Sequence, residues 1–362
     1  MVGVAASLML LDTTGAAAII TYDKASEARD DRRCEAYAEA HAAIRCVRPA
    51  PGLPAPADGG APAEVVLEED APDPMVVPVD DGTYRMFTTN GFYGTVPMWT
   101  SPDLHEWTYA GDAMPTLPPW AQPGGTWAPD VHQAADGTWV LWFTAREALP
   151  FPGADFPQAC IGVATADDLA GPYTPSPDET ICMHDHLGSI DPGVYEDTDG
   201  TQWLHWKSDD NAVPGHGYPS IWVARLDRDG TGIEGAPTPV ITVDQPWEAP
   251  LVEASDFARS PDGDLWLFYS ANDSGTRDYG MGVARCDTPL GPCTKPFDHR
   301  WLGANDQGQG PGEASLFVGH DGVLRIAYSP WFIRGPLIPR PVAIAPIAFD
   351  DTGPYLTQPP AP

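Results

Sequence analysis

Lysine is nearly missing from this chain: only three of its 19 basic residues are Lys, against 51 acids, and the formal net charge is −32. Such a surface repels nucleic-acid phosphates and anionic lipid headgroups, which argues against both as partners. Neutral partners such as sugars are compatible with it, although solubility or salt tolerance accounts for the charge without naming a ligand. Long apolar runs are also lacking, and nothing beyond the first two dozen residues is apolar for long enough to span a membrane. There is no C-x-x-C pair, so a zinc or dithiol redox site has no support. G-x-S-x-G and P-loop strings are absent too, which leaves serine-hydrolase and nucleotide-hydrolase readings without a motif. His132, His184, His186 and His216 have no metal-type spacing and read as polar surface or rim residues.

What is present points to a large folded core. Hydrophobic residues make up 43% of the chain, with 13 Trp, 12 Tyr and 11 Phe. Scattered Pro (42) and Gly (36) separate short apolar runs, the pattern of many strands joined by turns. Cys160 with Cys182, and Cys286 with Cys293, are placed to close across hairpins, which favours an oxidising, extracytoplasmic location. Cys34 and Cys46 are harder to pair, because the ends of one continuous helix over that stretch lie roughly 18 Å apart. The first residues resemble an export segment only in part: they are apolar, but lack a basic start and carry Asp12. Residues 24–48 read as helical, so 1–48 form an N-terminal extension, and 49–64 are a Pro/Gly/Ala linker.

From residue 65 to about 358 the character changes. Five segments share one order: an acid, a short strand, a turn with Gly, then a strongly apolar strand. They begin at Asp73 ("DPMVVPVDDGTYRMFTT"), Asp130 ("DVHQAADGTWVLWFTA"), Asp191 ("DPGVYEDTDGTQWLHWKS"), Glu253 ("EASDFARSPDGDLWLFYSA") and Glu313 ("EASLFVGHDGVLRIAYSPW"). The acids are 57, 61, 62 and 60 residues apart, and lie 9, 7, 9, 10 and 9 residues before the turn glycine. Further strand pairs fill each period, giving about four strands, the content of a propeller blade. The expected fold is all-β: a five-bladed β-propeller with a short helical N-terminal extension. Because the first strand of each blade lines the axis, five acids in one phase are expected to converge in one funnel.

Glycosidic hydrolysis needs one carboxylic acid to protonate the leaving oxygen and a second carboxylate to activate water or attack the sugar. The runs "APDPMVV", "TWAPDV", "GSIDPGVYEDTDGTQWLHWKSDDNA", "DQPWEAPLVEAS" with "LWLFYSAND", and "GVARCDTPLGPC" together resemble glycoside hydrolase family 43 over roughly residues 65–350. That resemblance implies an inverting mechanism on arabinofuranosyl or xylosyl linkages of plant cell walls. By motif, Asp73 would be the general base, Asp191 the residue that orients the donor and tunes its pKa, and the blade IV glutamate the general acid. It also places Trp127, and with it Asp130, near the sugar subsite. A secreted, monomeric enzyme acting on oligo- or polysaccharide follows.

Two glutamates compete for the acid in "WEAPLVEAS", residues 247–255. Glu248 has the more family-like "EAP", yet it lies 15 residues before Gly263, whereas Glu253 lies 10 before it, close to the other blades. The register therefore selects Glu253. Two positions depart from the family pattern: Ser255 replaces a common Pro, and Glu313 stands in "GPGE" where the family has a histidine associated with a hydrated cation, often calcium. No cofactor is required for the reaction. A carboxylate at 313 either ligates a structural Ca2+ on the axis or pairs with a base such as Arg325. Retaining sucrose- or fructan-active relatives are an alternative, but they carry R-D-P and E-C where this chain has "SIDP" and "VEAS". A non-catalytic carbohydrate-binding propeller would be expected to have lost one of the three acids.

Overall fold

The computed structural model describes residues 6–11, 17–22, 45–47, 64–91, 93–304, 309–331 and 340–357. Strands β1 (Ala6–Leu11), β2 (Ala17–Tyr22) and β3 (Arg45–Val47) form a small antiparallel sheet in the order β2-β1-β3. Residues 45–47 are therefore extended where the sequence suggested the end of a helix. The rest of that expected helix, Cys34 and nearly all of the linker lie outside the described residues.

The next strand, β4 (Glu64–Leu67), is followed by five four-stranded antiparallel meanders. Blade I holds β5 (Met75–Pro78), β6 (Tyr84–Phe87), β7 (Pro97–Ser101) and β8 (Thr108–Asp112). Blade II holds β9 (Ala121–Gln133), β10 (Trp139–Glu147), β11 (Ala159–Ala166) and β12 (Thr174–Pro175). Blade III holds β13 (Ser189–Glu196), β14 (Gln202–Ser208), β15 (Ser220–Leu226) and β16 (Ile233–Thr242). Blade IV holds β17 (Val252–Arg259), β18 (Leu265–Ala271), β19 (Gly280–Cys286) and β20 (Cys293–Thr294). Blade V holds β21 (Gln309–Val318), β22 (Leu324–Trp331), β23 (Val342–Asp350) and β24 (Gly353–Leu356). The five-bladed propeller read from the repeats is the observed fold.

Burial explains why five sheets make one body. Each blade is apolar on both faces, and five hydrophobic clusters fill the five gaps between neighbouring blades. Between blades II and III, for example, Trp142 and Trp206 are fully buried against Ile161 and Leu204. The ring is closed by β4, which precedes blade I in sequence but pairs with β23 of blade V, Val342 facing Leu67 and Ala343 facing Val65. Cys160–Cys182 and Cys286–Cys293 are both disulfide-bonded, as the hairpin reading expected.

The innermost strands share one irregularity. In blades II to V, two residues oppose a single partner: Ala128-Pro129, Asp191-Pro192, Ala254-Ser255 and Glu313-Ala314 are the bulged pairs. Blade I does the same at Asp73-Pro74, just before β5, where Thr89 N–H bonds the Pro72 carbonyl and Met75 pairs with Phe87. The first residue of every pair is left-handed, with φ of 56° at Asp73, 43° at Ala128, 55° at Asp191, 46° at Ala254 and 56° at Glu313. Each lies nine residues before the left-handed turn glycine of its hairpin: Gly82, Gly137, Gly200, Gly263 and Gly322. Such bulges bend a strand and re-aim its side chains. The acids are thus not all in one phase, because Asp73, Asp191 and Glu313 occupy the bulge, Asp130 follows it by two residues and Glu253 precedes it by one.

Leu67 of β4 is buried in the cluster joining blades V and I. Leu67→Ala is expected to cost about 2–3 kcal/mol, read from the midpoint of urea unfolding, and an unchanged midpoint would show that β4 does not hold the ring closed.

Candidate active site

Bulge geometry brings four carboxyls together at the axis. Asp73 is gripped by Arg340, whose Nη1 lies 2.9 Å from Oδ1 and Nη2 3.3 Å from Oδ2. Thr89 also donates its hydroxyl to Asp73 Oδ2, and its Oγ1 accepts the Ala128 N–H at 2.8 Å, tying blade I to blade II. Asp191 is anchored through its backbone N–H to Thr144 Oγ1 of blade II at 3.0 Å. Its carboxyl is pushed well above the usual carboxylate range by burial, then by Glu253, against the opposing pull of Lys207.

Glu253 is buried in β17. Its Oε2 accepts from Lys207 Nζ at 3.1 Å and its Oε1 lies 2.9 Å from the Tyr279 hydroxyl. Lys207 is itself buried. Burial alone would lower its pKa, but Glu253, Asp209 and Asp191 outweigh that and raise it, so the ammonium is retained. Glu313 completes the group, with Oε1 2.6 Å from the same Tyr279 hydroxyl.

Glu248 belongs to a different environment. Fully buried, it accepts from Tyr269 at 2.7 Å, from Lys295 Nζ at 2.8 Å and from the N–H groups of Asp244 and Gln245 at 3.0 and 3.1 Å. Every lone pair is engaged in closing its own loop, the arrangement of a structural carboxylate. The register choice of Glu253 therefore separates a glutamate at the axis from one that pins a turn.

Asp130 lines a cavity of about 40 Å³ together with His205, Ser255 and Asp256, and with Asp73, Asp191 and Glu313. Burial and then Asp256 push Asp130 well above the usual carboxylate range, and its Oδ1 has no hydrogen-bond partner among the described residues. Ser255, which stands where the family has Pro, bonds His205 Nδ1 at 3.0 Å, and the preceding bulge keeps its left-handed residue. Trp127 in β9 is half-buried, with the Arg146 guanidinium 5.4 Å from its ring centroid.

Two expectations need correction. Arg325 pairs with Asp321 at 2.6 Å; the base beside Glu313 is Arg340. His132 is not a rim residue, since its ring nitrogens are buried against the Gly230 turn, and burial pulls it down to about 4. His184 stacks on Phe151 at 3.6 Å, and His186 and His216 both face Asp210, at 3.0 and 3.5 Å.

The surroundings of Glu313 do not fit a directly ligated calcium. Its Oε1 is taken by a phenol, a guanidinium lies nearby, and among the described residues it belongs to no group of three carboxylate, His or Cys donors close enough to share an ion. The one such group, Glu147, Cys182 and His184, has its sulfur committed to a disulfide. Lys207, Arg340, Thr89 and Tyr279 escaped the sequence reading, because they sit on second strands, before third strands or in a loop, where no repeat aligned them.

With this geometry in place, comparison with known proteins is decisive at the family level: the glycosyl hydrolases family 43 description matches residues 62–353. The chain belongs to glycosyl hydrolase family 43. It is 28% identical over 265 residues to the extracellular endo-α-(1→5)-L-arabinanase of Thermotoga petrophila, covering 62% of this chain and 50% of that protein. It is 24% identical over 229 residues to α-L-arabinofuranosidase B of Pyricularia oryzae, covering 61% and 45%. The chain thus spans about half the length of the curated relatives it matches. Its fold superimposes on the crystal structure of a thermostable family-43 glycoside hydrolase with a TM-score of 0.70 and 25% identity, over 81% of this chain and 95% of that one.

Glu253→Gln is expected to lower kcat by at least about 100-fold while the folded state persists. Glu248→Gln should instead lower thermal stability, with kcat of the folded enzyme within a few-fold of the parent. Reversed outcomes in paired steady-state and melting measurements would transfer the acid role to Glu248.

Proposed function

We propose that this family 43 chain is an inverting glycoside hydrolase acting on arabinofuranosyl or xylosyl linkages of plant cell-wall-type saccharides. Asp73 is the general base, Glu253 the general acid, and Asp191 orients the acid and tunes its proton affinity. The observation that carries this reading is the difference between the partners of the two working carboxyls. Asp73 accepts only: two guanidinium N–H groups and one hydroxyl point at its oxygens, which aims it as an acceptor for a water proton. Glu253 shares a hydroxyl with a second, partly buried carboxyl, that of Glu313, and so has a neighbour able to exchange a proton.

In the reaction, water gives a proton to Asp73 as its oxygen bonds to the anomeric carbon. Glu253 gives its proton to the departing oxygen as the old C–O bond breaks. Trp127 forms an aromatic wall of the sugar subsite. Asp130 supports that site. The names of the relatives favour arabinan-type substrates over xylosides, and their extracellular location, with the two disulfides, favours an extracytoplasmic enzyme. One chain suffices for the whole funnel in this reading, since β4 closes the ring within it.

Incubation with aryl α-L-arabinofuranoside, aryl β-D-xyloside and debranched arabinan tests the substrate class. Proton NMR of the first-formed sugar should show the anomer opposite to that of the substrate. A retained anomer would replace the water-activating base with a covalent nucleophile, and no release from any of the three would remove the assignment.

A further inference from the structure

Tyr279, immediately before β19, is almost completely buried, and its ring passes against the strand that carries Glu313. A Cβ at Gly312 would lie 2.0 Å from the Tyr279 ring, so only glycine lets the phenol reach the axis at this point. Its hydroxyl lies 2.9 Å from Glu253 Oε1 and 2.6 Å from Glu313 Oε1. Ser270 Oγ accepts the Glu313 N–H at 3.0 Å.

A proton count follows from these contacts. A phenol has one proton and two lone pairs. It can donate to one carboxylate. The second carboxyl can bond to a phenol lone pair only as a carboxylic acid, donating its own proton. Two protons are therefore held among Glu253, Tyr279 and Glu313.

We propose that Glu313 is the proton store of the general acid, passing its proton through the Tyr279 hydroxyl to Glu253. This inference rests on the hydrolytic reading above. In the resting site Glu313 donates to the Tyr279 oxygen and Tyr279 donates to Glu253. A concerted shift of both protons leaves Glu313 ionised, Tyr279 unchanged and Glu253 protonated and ready to donate. After cleavage the proton taken from water resides on Asp73, and its transfer to Glu313 closes the cycle without net gain or loss.

The groups around Glu313 support this direction of flow. Burial raises its pKa well above the usual range, Asp73, Asp191 and Glu253 raise it further, and Arg340 alone opposes them. Glu253 is faced by Lys207 on its other oxygen, a donor that cannot accept a proton back while charged. Tyr279 is raised by burial and by Glu253 and Glu313, so it stays neutral and acts as a bridge. Glu313 and Tyr279 are positioning residues in this scheme, acting through Glu253 and not on the sugar.

The test compares the full chain with Glu313→Gln, Tyr279→Phe and the double variant on two substrates: a 2,4-dinitrophenyl glycoside, whose leaving group departs with little help from an acid, and an oligosaccharide, which needs a proton. Each single variant is expected to lose about 10–100-fold in kcat on the oligosaccharide, several times more than on the dinitrophenyl glycoside, with KM little changed. The double variant should lose no more than the worse single one. Burial and the neighbouring carboxylates hold the Glu313 proton to higher pH than an isolated carboxyl would keep it. Glutamine at 313 removes that store, and the basic limb of the kcat profile should move down by about one pH unit or more. Equal losses on both substrates with an unmoved limb would reduce Glu313 and Tyr279 to structural support, since partial misfolding scales both rates alike. The parent enzyme's own cleavage of the dinitrophenyl glycoside tests the hydrolytic reading separately.

Discussion

The geometry at the axis depends on a backbone constraint repeated in every blade: a left-handed residue nine positions before the turn glycine, at the head of a two-residue bulge. A regular innermost strand would alternate its side chains between the two blade interfaces, and none would point squarely into the channel. The bulge interrupts that alternation once per blade. It aims Asp73, Asp191 and Glu313 inward and lets Glu253 enter from the residue before. Left-handed φ is uncommon for residues other than Gly, Asn and Asp, so the inter-blade packing on either side must hold it. Five filled gaps and a ring closed by β4 provide that support.

Concentrating acids in a buried space has an electrostatic cost, and the site meets it in two ways. Lys207 and Arg340 bring positive charge to Glu253 and Asp73 through direct hydrogen bonds. The remaining carboxyls, Asp191 and Glu313, are driven towards their neutral forms by burial and by neighbouring carboxylates, Glu253 and Asp73 among them. A site with four ionised carboxylates would need more cations than the fold brings to it. One that carries protons instead lowers that electrostatic cost and holds exchangeable protons at the axis.

Much of this was legible in the residues. The D-G hairpins and their period of about 60 gave the blade count, and two of the bulge acids, followed by Pro, stood out. The phase of the acids was less clear. Aligning acid on acid produced intervals to the turn glycine that wandered from 7 to 10, whereas the backbone keeps them uniform. The cause is that blades II and IV carry alanine at the bulge, a residue without chemistry to notice, while their acids sit two positions after and one before. The register still picked the glutamate that lies at the axis, because one position of error is small beside five. Lys207, Tyr279 and Arg340 were invisible to the repeat, since each comes from a different part of a different blade and meets the others only in three dimensions. Extended pairing at Arg45–Val47 likewise depends on β1, nearly 40 residues earlier, which local helical composition does not register.

The scarcity of lysine acquires a meaning in this light. Both lysines of the propeller are internal, Lys207 on Glu253 and Lys295 on Glu248, their side chains only 2% and 6% exposed. The described propeller surface consequently offers almost no primary amine. Amine-directed coupling to a resin, a dye or a cross-linker has nothing to grip on the blades, and any attachment must be made through carboxylates or the N-terminal extension. The same scarcity keeps both ammonium groups of the propeller at a fixed structural address, each already paired with a buried glutamate.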